Sequence, residues 1–180
     1  MILNEEQKKA IRLLRDAKLD AKNGLDEELF LMMSALTPIP NVDLLITNSR
    51  NQILLARRND PYYSKSWHIP GGCIRYGENF ENRIRQTALK ELGCEVTFDP
   101  EPLAVRNVLR KENSMLSHPR ERGHHIAILF RCYLPKGYEL NNNGKTEADN
   151  GFLKWFDKLP QDFLDIQHVY DRELMAWRKD

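Results

Sequence analysis

The stretch "WHIPGGCIRYGENFENRIRQTALKELGC", Trp67 to Cys94, most constrains what this chain can become. A short β-rich run stops at Pro70-Gly71-Gly72, and a helix then runs from about Asn79 to a stop at Gly93. Paired glycines let a backbone come close to a ligand and leave carbonyls open to a hard cation. Within the helix, Phe80, Ile84, Ala88 and Leu92 recur at helical spacing and read as the core face. Glu91 lies off that stripe, with Thr87 one turn before it and Arg83 one turn before that. The spacing predicts a cleft roofed by a glycine turn, with a carboxylate entering from the helix. A carbonyl and a carboxylate oxygen form a Mg2+-type donor set, completed by waters and substrate phosphates.

The rest of the chain reads as a frame for that cleft. Residues 4–19 pattern as a helix capped by Asn4, and 25–36 as a second helix ended by "TPIP". Their apolar stripes read as core or interface packing. "NVDLLITNSRNQILLARR" is two β-rich runs around Asn48-Ser49-Arg50-Asn51, a hairpin pattern. Strands are expected over 102–111, 124–134 and 152–156, loops over 112–123 and 141–151, and a closing helix over 166–178. The order α-α-β-β-β-α-β-β-β-α predicts a mixed α/β (α+β) fold with a partly antiparallel sheet. We divide the chain into an N-terminal helical segment, 1–37, and one domain, 38–180.

At 180 residues the chain is long enough for one core. Its 27 basic and 26 acidic residues leave a net charge of +1, which gives no argument for nucleic-acid binding. Cys73, Cys94 and Cys132 suggest neither a disulfide framework nor a zinc site. The charged start "MILNEEQKKAIRLLRD" does not read as a secretory signal, and no apolar run has membrane-spanning length. The expected location is therefore cytoplasmic, without a membrane partner.

At this point the residues resemble the Nudix hydrolases, whose box is G-x5-E-x7-R-E-U-x-E-E-x-G-U, with U a bulky apolar residue. Here Gly72, Glu78, Glu91 and Gly93 stand at box spacing. Gln86 takes the place of the box Arg, and Thr87 and Lys90 take the places of two of its acids. The GDP-mannose mannosyl hydrolase branch also keeps only the last helix Glu, and "LTPIPNVDLLITNSRNQILLARR" and "WHIPGG" are similar to it. The likeness covers about 28–160.

The resemblance implies a Nudix-like mixed sheet between helices, with extra N-terminal helices. It implies a Mg2+ (or Mn2+) dependent hydrolase of a nucleoside diphosphate linked to another group, foremost a nucleotide sugar such as GDP-mannose, and a homodimer. The alternatives are hydrolysis of a (deoxy)nucleoside triphosphate or another diphosphate, and a weakly active nucleotide-sugar sensor with a degenerate box. By the same resemblance the Gly71 carbonyl and Glu91 match metal ligands, and Asp43 and Arg58 match positions near substrate and diphosphate. The branch has an Arg where Cys73 stands. It draws a ligand and a base from a Gln-His pair in a late loop that here reads "TEADNG". Glu147, Asp149 or Asn150 could face the metal from there, Asp149 as a ligand and Glu147 or Asp149 as a base.

Each candidate also has a plain structural reading. Arg57 and Arg58 end a strand, so alternation sends only one into the cleft; the other is a solvated residue. Arg58 fits a phosphate by its fork of donors. Asp43, inside an apolar strand, wants a partner, either structural or substrate. His124 and His125 open a strand and point to opposite faces, so one is expected near the cleft. His118, Arg120 and Arg122 form a basic loop, either solvated or a lid over the diphosphate. Tyr62 or Tyr63 could stack on a base or lie idle at the rim. Trp67 and Trp155 read as core.

Overall fold

The computed structural model describes residues 2–17, 19–60, 63–109 and 124–177. Expectations for Tyr62, His118, Arg120 and Arg122 fall outside the described residues.

The chain runs α1 (Glu5–Asp16), a 3-10 turn (Ala21–Asn23), α2 (Glu27–Leu36), β1 (Ile39–Ile46), β2 (Ile53–Asp60), β3 (Tyr63–His68), β4 (Gly71–Cys73), α3 (Phe80–Leu92), β5 (Thr97–Phe98), β6 (Ala104–Leu109), β7 (His124–Tyr133) and β8 (Leu153–Phe156). A 3-10 segment (Asp165–Tyr170) then leads into α4 (Asp171–Trp177). The mixed α/β fold class is as expected. The closing helix begins as 3-10 and only its last two turns are α.

Two sheets carry the strands. The larger has the order β4-β1-β7-β5, with β6 also on β7; β1 runs parallel to β7 and the other pairs are antiparallel. The smaller is β3-β2-β8, antiparallel throughout. The turn at 48–51 forms, with Asn51 at φ 58°, but the expected hairpin does not extend from it. Only Thr47 bridges to Ile53, and then β1 and β2 part into different sheets. Both strands are apolar on both faces, so each takes its own partners and buries both sides.

One core lies against α3, where Val42, Leu44, Ile46, Ile84, Ala88, Leu92 and Phe130 pack together. The other holds Leu45, Ile53, Leu55, Trp67, Leu129, Tyr170, Leu174 and Trp177. Trp67 is thus core, its ring centroid 4.7 Å from that of Phe156, and Trp155 packs partly buried on the first cluster. α1 buries none of its residues, so of the two expectations for its stripe the core one is not met and the interface one stays open. Its capping box forms all the same: the Asn4 side chain accepts from Gln7 N–H at 2.8 Å and Gln7 returns the bond at 3.0 Å.

Among the described residues no helix is long and apolar enough to cross a membrane.

Candidate active site

The two glycines do not make a turn. Gly71 and Gly72 lie in β4 at the edge of the larger sheet, and neither has a positive φ. What matters is the side chain they lack. A β-carbon on Gly71 would lie 2.3 Å from Asp43 Oδ1, and one on Gly72 would lie 2.8 Å from Thr87 Oγ1. Strand alternation turns Gly71 to the Asp43 side and Gly72 to the α3 side, and each accommodates a polar group closely. The ladder to β1 uses the Pro70 carbonyl, bonded to Leu44 N–H at 2.8 Å, and Ile74 N–H, bonded to the Pro40 carbonyl at 3.0 Å. With ladder bonds alternating along an edge strand, the Gly71 carbonyl points away from β1.

The helix that follows is placed by its ends. The Asn79 side chain accepts from Asn82 N–H at 2.8 Å, a cap of about 1 kcal/mol, and Gly93 closes it in the left-handed conformation at φ 70°. Arg83 is buried and donates to the Cys73 carbonyl at 3.2 Å, which pins α3 to β4. Glu78 lies 3.4 Å from Arg83 and accepts from Arg75 N–H at 2.8 Å, so it orders the loop between β4 and α3. Ile84, Ala88 and Leu92 are buried as expected. Phe80 is 46% exposed, although its ring still meets that of Phe130 with centroids 5.6 Å apart. Gln86 is exposed, on the outer side of the helix.

Arg83, Thr87, Lys90 and Glu91 line a cleft of about 540 Å³ with Gly71 and Gly72. Its far wall comes from the N-terminal segment, including Leu25 and Phe30. Glu91 is half-buried and has no hydrogen-bond or ion-pair partner among the described residues. Burial pushes its carboxyl up to about 7; the charges of Lys90 and Arg58 pull the other way, Asp43 adds to the rise, and Lys145 opposes it. Thr87 Oγ1 is a buried hydroxyl with no partner among the described residues.

A second cavity, about 120 Å³, opens on the other side of Gly71 and shares Phe30, Ile39, Gly71 and Cys73 with the first. Asp43 forms its floor. Its Oδ2 accepts from Tyr170 OH at 2.8 Å, and its Oδ1 accepts from Asn41 at 2.9 Å and Gln167 at 3.2 Å. Burial raises this carboxyl to about 7 despite those donors. Gln167 also donates to the Ile69 carbonyl at 3.2 Å and accepts from Ile69 N–H at 2.7 Å, so the C-terminal segment clamps the chain just before the glycines.

Arg58 enters this cavity, paired with Asp60 at 2.5 Å and with its guanidinium 4.0 Å from the Tyr63 ring centroid. Arg57 points the other way, to Asp162 and the Trp67 ring, and lines neither space. His124 and His125 both line the small cavity, where alternation predicted one. They are the first two residues of β7, the strand that meets α2. His124 Nε2 is 2.6 Å from Asn107 Oδ1.

The late loop does not carry its acids to either space. Glu147 is exposed and paired with Lys154. Asp149 turns back on its own loop, accepting from Thr146 N–H at 2.7 Å and Oγ1 at 2.8 Å, and those bonds hold its carboxyl below the usual range. Asn150 Oδ1 accepts from Asn59 N–H at 3.3 Å. The loop's influence on Glu91 comes instead from the charge of Lys145.

The donor set fits one hard cation. A half-buried carboxylate without a partner among the described residues lines the same cleft as Gly71, whose carbonyl its sheet does not use, with an orphaned hydroxyl one helical turn from the carboxylate. Among the described residues no three His, Cys, Asp or Glu side chains gather, so phosphates and waters would complete the shell. Sequence reasoning missed His68, Gln167 and Asn41. His68 was legible in part, because alternation from the core residue Trp67 sends it to the opposite face.

The NUDIX domain family model matches residues 37–177. Solved structures share the fold at low identity. A MutT NUDIX hydrolase from Burkholderia pseudomallei superposes with a TM-score of 0.54 at 21% identity, over 74% of this chain and 95% of its own. A UDP-X diphosphatase gives 0.53 at 19%, over 98% of this chain and 83% of its own. A possible asymmetric diadenosine tetraphosphate hydrolase from Jonesia denitrificans gives 0.56 at 14%, over 80% and 96%. With a matched domain of that extent built around the Gly71–Gly72 strand and α3, this chain belongs to the NUDIX family of hydrolases.

Proposed function

We propose that this hydrolase cleaves a nucleoside diphosphate linked to another group, foremost a nucleotide sugar, with Mg2+ as cofactor. The observation that carries the reading is the pairing of two spaces across Gly71. One holds the unpartnered Glu91 and the other holds Arg58 and the Asp43 cluster. A diphosphate at Gly71 would have room for a group on either side. Mg2+ held by the Gly71 carbonyl and Glu91 would offset phosphate charge. Arg58 would fork two donors onto a phosphate while Tyr63 supports its plane. Asp43, Asn41 and Gln167 present a fixed polar floor for hydroxyl groups. The structural neighbours are named for different phosphate derivatives, so the choice of nucleotide sugar rests on the box itself. Keeping only the last helix Glu resembles the GDP-mannose mannosyl hydrolase branch.

A sensor with little turnover is the second reading. It is favoured by Thr87 and Lys90 in place of acids and by the lack of a three-ligand group among the described residues. The N-terminal segment supports a homodimer, because α1 exposes Ile11, Leu13 and Leu14 with none of its residues buried; a light-scattering mass of one chain would refute it.

One assay separates the readings: incubation with Mg2+ and a panel of nucleotide sugars and triphosphates in ¹⁸O-water, read by phosphorus NMR. Unlabelled nucleoside diphosphate means attack on the sugar carbon, and labelled phosphate means attack on phosphorus. Saturable binding without turnover would replace the hydrolase with the sensor.

A further inference from the structure

The hydrolytic reading lacks a group to take the proton of the attacking water. Among the described residues most ionisable groups at the site are already engaged. Both oxygens of Asp43 accept hydrogen bonds, Glu147 is paired, Asp149 is bonded to its own loop, and His124 Nε2 meets Asn107.

His68 is different. It is half-buried and lines the small cavity with Asp43, Arg58 and Gly71. Its Nδ1 lies 2.9 Å from the Ile69 carbonyl. A carbonyl only accepts, so Nδ1 carries the hydrogen, and in the neutral ring Nε2 is left with a free lone pair. Nε2 has no partner among the described residues. Its strand holds it in register: His68 pairs with Ala56 and Ser66 with Arg58, so His68 and Arg58 are diagonal neighbours on one face while Trp67 anchors the other.

We propose, resting on the hydrolytic reading above, that His68 is a catalytic residue whose Nε2 accepts the proton of the attacking water. In that step a water O–H bond breaks and its proton passes to Nε2. The water oxygen bonds to the electrophilic phosphorus or anomeric carbon. The bond from that centre to the leaving oxygen breaks, and the leaving group departs with the electron pair as an anion. The imidazolium then returns its proton to solvent. Burial and the Arg58 charge hold the free ring's pKa down to about 4, so it is neutral and able to accept at neutral pH. A bound diphosphate would offset the Arg58 charge and raise the ring's basicity in the complex.

The test uses a substrate that the wild type turns over, with His68→Asn and His68→Gln. Asparagine keeps a donor for the Ile69 carbonyl and removes Nε2; glutamine keeps a polar atom near Nε2 but no base. Both variants are expected to lose on the order of 100-fold or more in kcat with KM within about threefold of wild type. The acid limb of the pH profile should flatten, and added imidazole should restore part of the rate to His68→Asn. The other titratable or charged groups that line this cavity or act on the ring are Arg58 and Asp60 on β2, Asp43 on β1, Tyr63 on β3, Cys73 on β4, His124 and His125 on β7, and Tyr170 in the 3-10 segment. Glu91 and Asp43 add acid steps of their own that remain in both variants; an acid limb unchanged in shape from wild type in both variants overturns the proposal. So does a kcat within about threefold of wild type. A wild type without turnover on any substrate of the panel overturns the hydrolytic reading, and this role with it.

Discussion

Tyr170 donates its phenolic hydrogen to Asp43 Oδ2 at 2.8 Å, joining the end of the chain to the first strand across 127 positions of sequence. Both groups are buried, and burial and the Asp43 charge keep the Tyr170 phenol well above the usual range, so it acts only as a donor. Tyr170→Phe preserves the ring in the second core and leaves one carboxylate oxygen of Asp43 without a partner. A destabilisation of about 1–3 kcal/mol in urea unfolding is expected, because the cost is that of an abandoned buried acceptor. A change below about 0.5 kcal/mol would mean that water replaces the phenol.

The glycines of β4 predict a compensating pair. Gly72→Ala would bring a methyl group to 2.8 Å from Thr87 Oγ1, inside a closely packed wall. The variant should lose on the order of 1–3 kcal/mol. Thr87→Ala removes a buried hydroxyl that has no partner among the described residues, which should cost little, and a buried γ-methyl, which should cost about 1 kcal/mol. In the double variant the alanine methyl fits the vacated space. Denaturant melts should therefore show the two changes to be non-additive, with the double variant more stable than Gly72→Ala alone.

Glu91 titrates at about 7 in the folded protein against an ordinary value of 4.5. The folded state therefore binds this proton more tightly than the unfolded chain. The stability it contributes is full below the ordinary value, declines as pH rises from about 4.5 to about 7, and is gone above that. In metal-free protein Glu91→Gln should remove this decline. The variant should match wild type in acid and exceed it by about 1–3 kcal/mol in alkali, the upper end being discounted because the group is only half-buried. Mg2+ should stabilise the wild type and leave the variant unmoved. Equal stability of the two proteins at all pH values would place Glu91 in bulk solvent.

Arg58→Lys keeps a charge but loses the planar fork and the stack on Tyr63. Its KM for a diphosphate substrate should rise about tenfold, some 1.4 kcal/mol of binding, with kcat little changed. A fall in kcat at unchanged KM would show instead that Arg58 acts in the transition state.

The sequence made α3 legible because its signals are local: a cap at Asn79, a stripe at helical spacing, and a glycine that stops it at φ 70°. Glu91 followed from the same spacing. The Asp43 cluster did not, because its donors Gln167 and Tyr170 are far away in sequence, in a stretch that reads simply as a closing helix. The glycine pair was legible as a place of close approach, but the reason was misread. Close packing against Asp43 and Thr87 demands glycine there, not the backbone conformation, since neither residue has a positive φ. Glu147 and Asp149 were drawn from a loop whose composition suits acids of any role. In the structure they pair instead with Lys154 and Thr146, away from both spaces.

Lys90 tests how far the site has moved from the family pattern, because it occupies a box position where an acid is usual. It is exposed, lines the cleft beside Glu91, and its charge opposes the rise of that carboxyl. Lys90→Glu reverses a charge at the mouth of the cleft. Without metal, two carboxylates would then repel, so Glu91 should titrate higher still and the protein should be less stable in alkali than wild type. With metal the same pair becomes a better ligand set. Manganese binding, followed by the loss of the free-ion signal in electron paramagnetic resonance, should tighten by about tenfold or more, the gain of about 1.4 kcal/mol that a second carboxylate near the ion would supply. The result that refutes this is unchanged manganese affinity with unchanged alkaline stability, which would mean that position 90 acts on solvent and not on the Glu91 carboxylate.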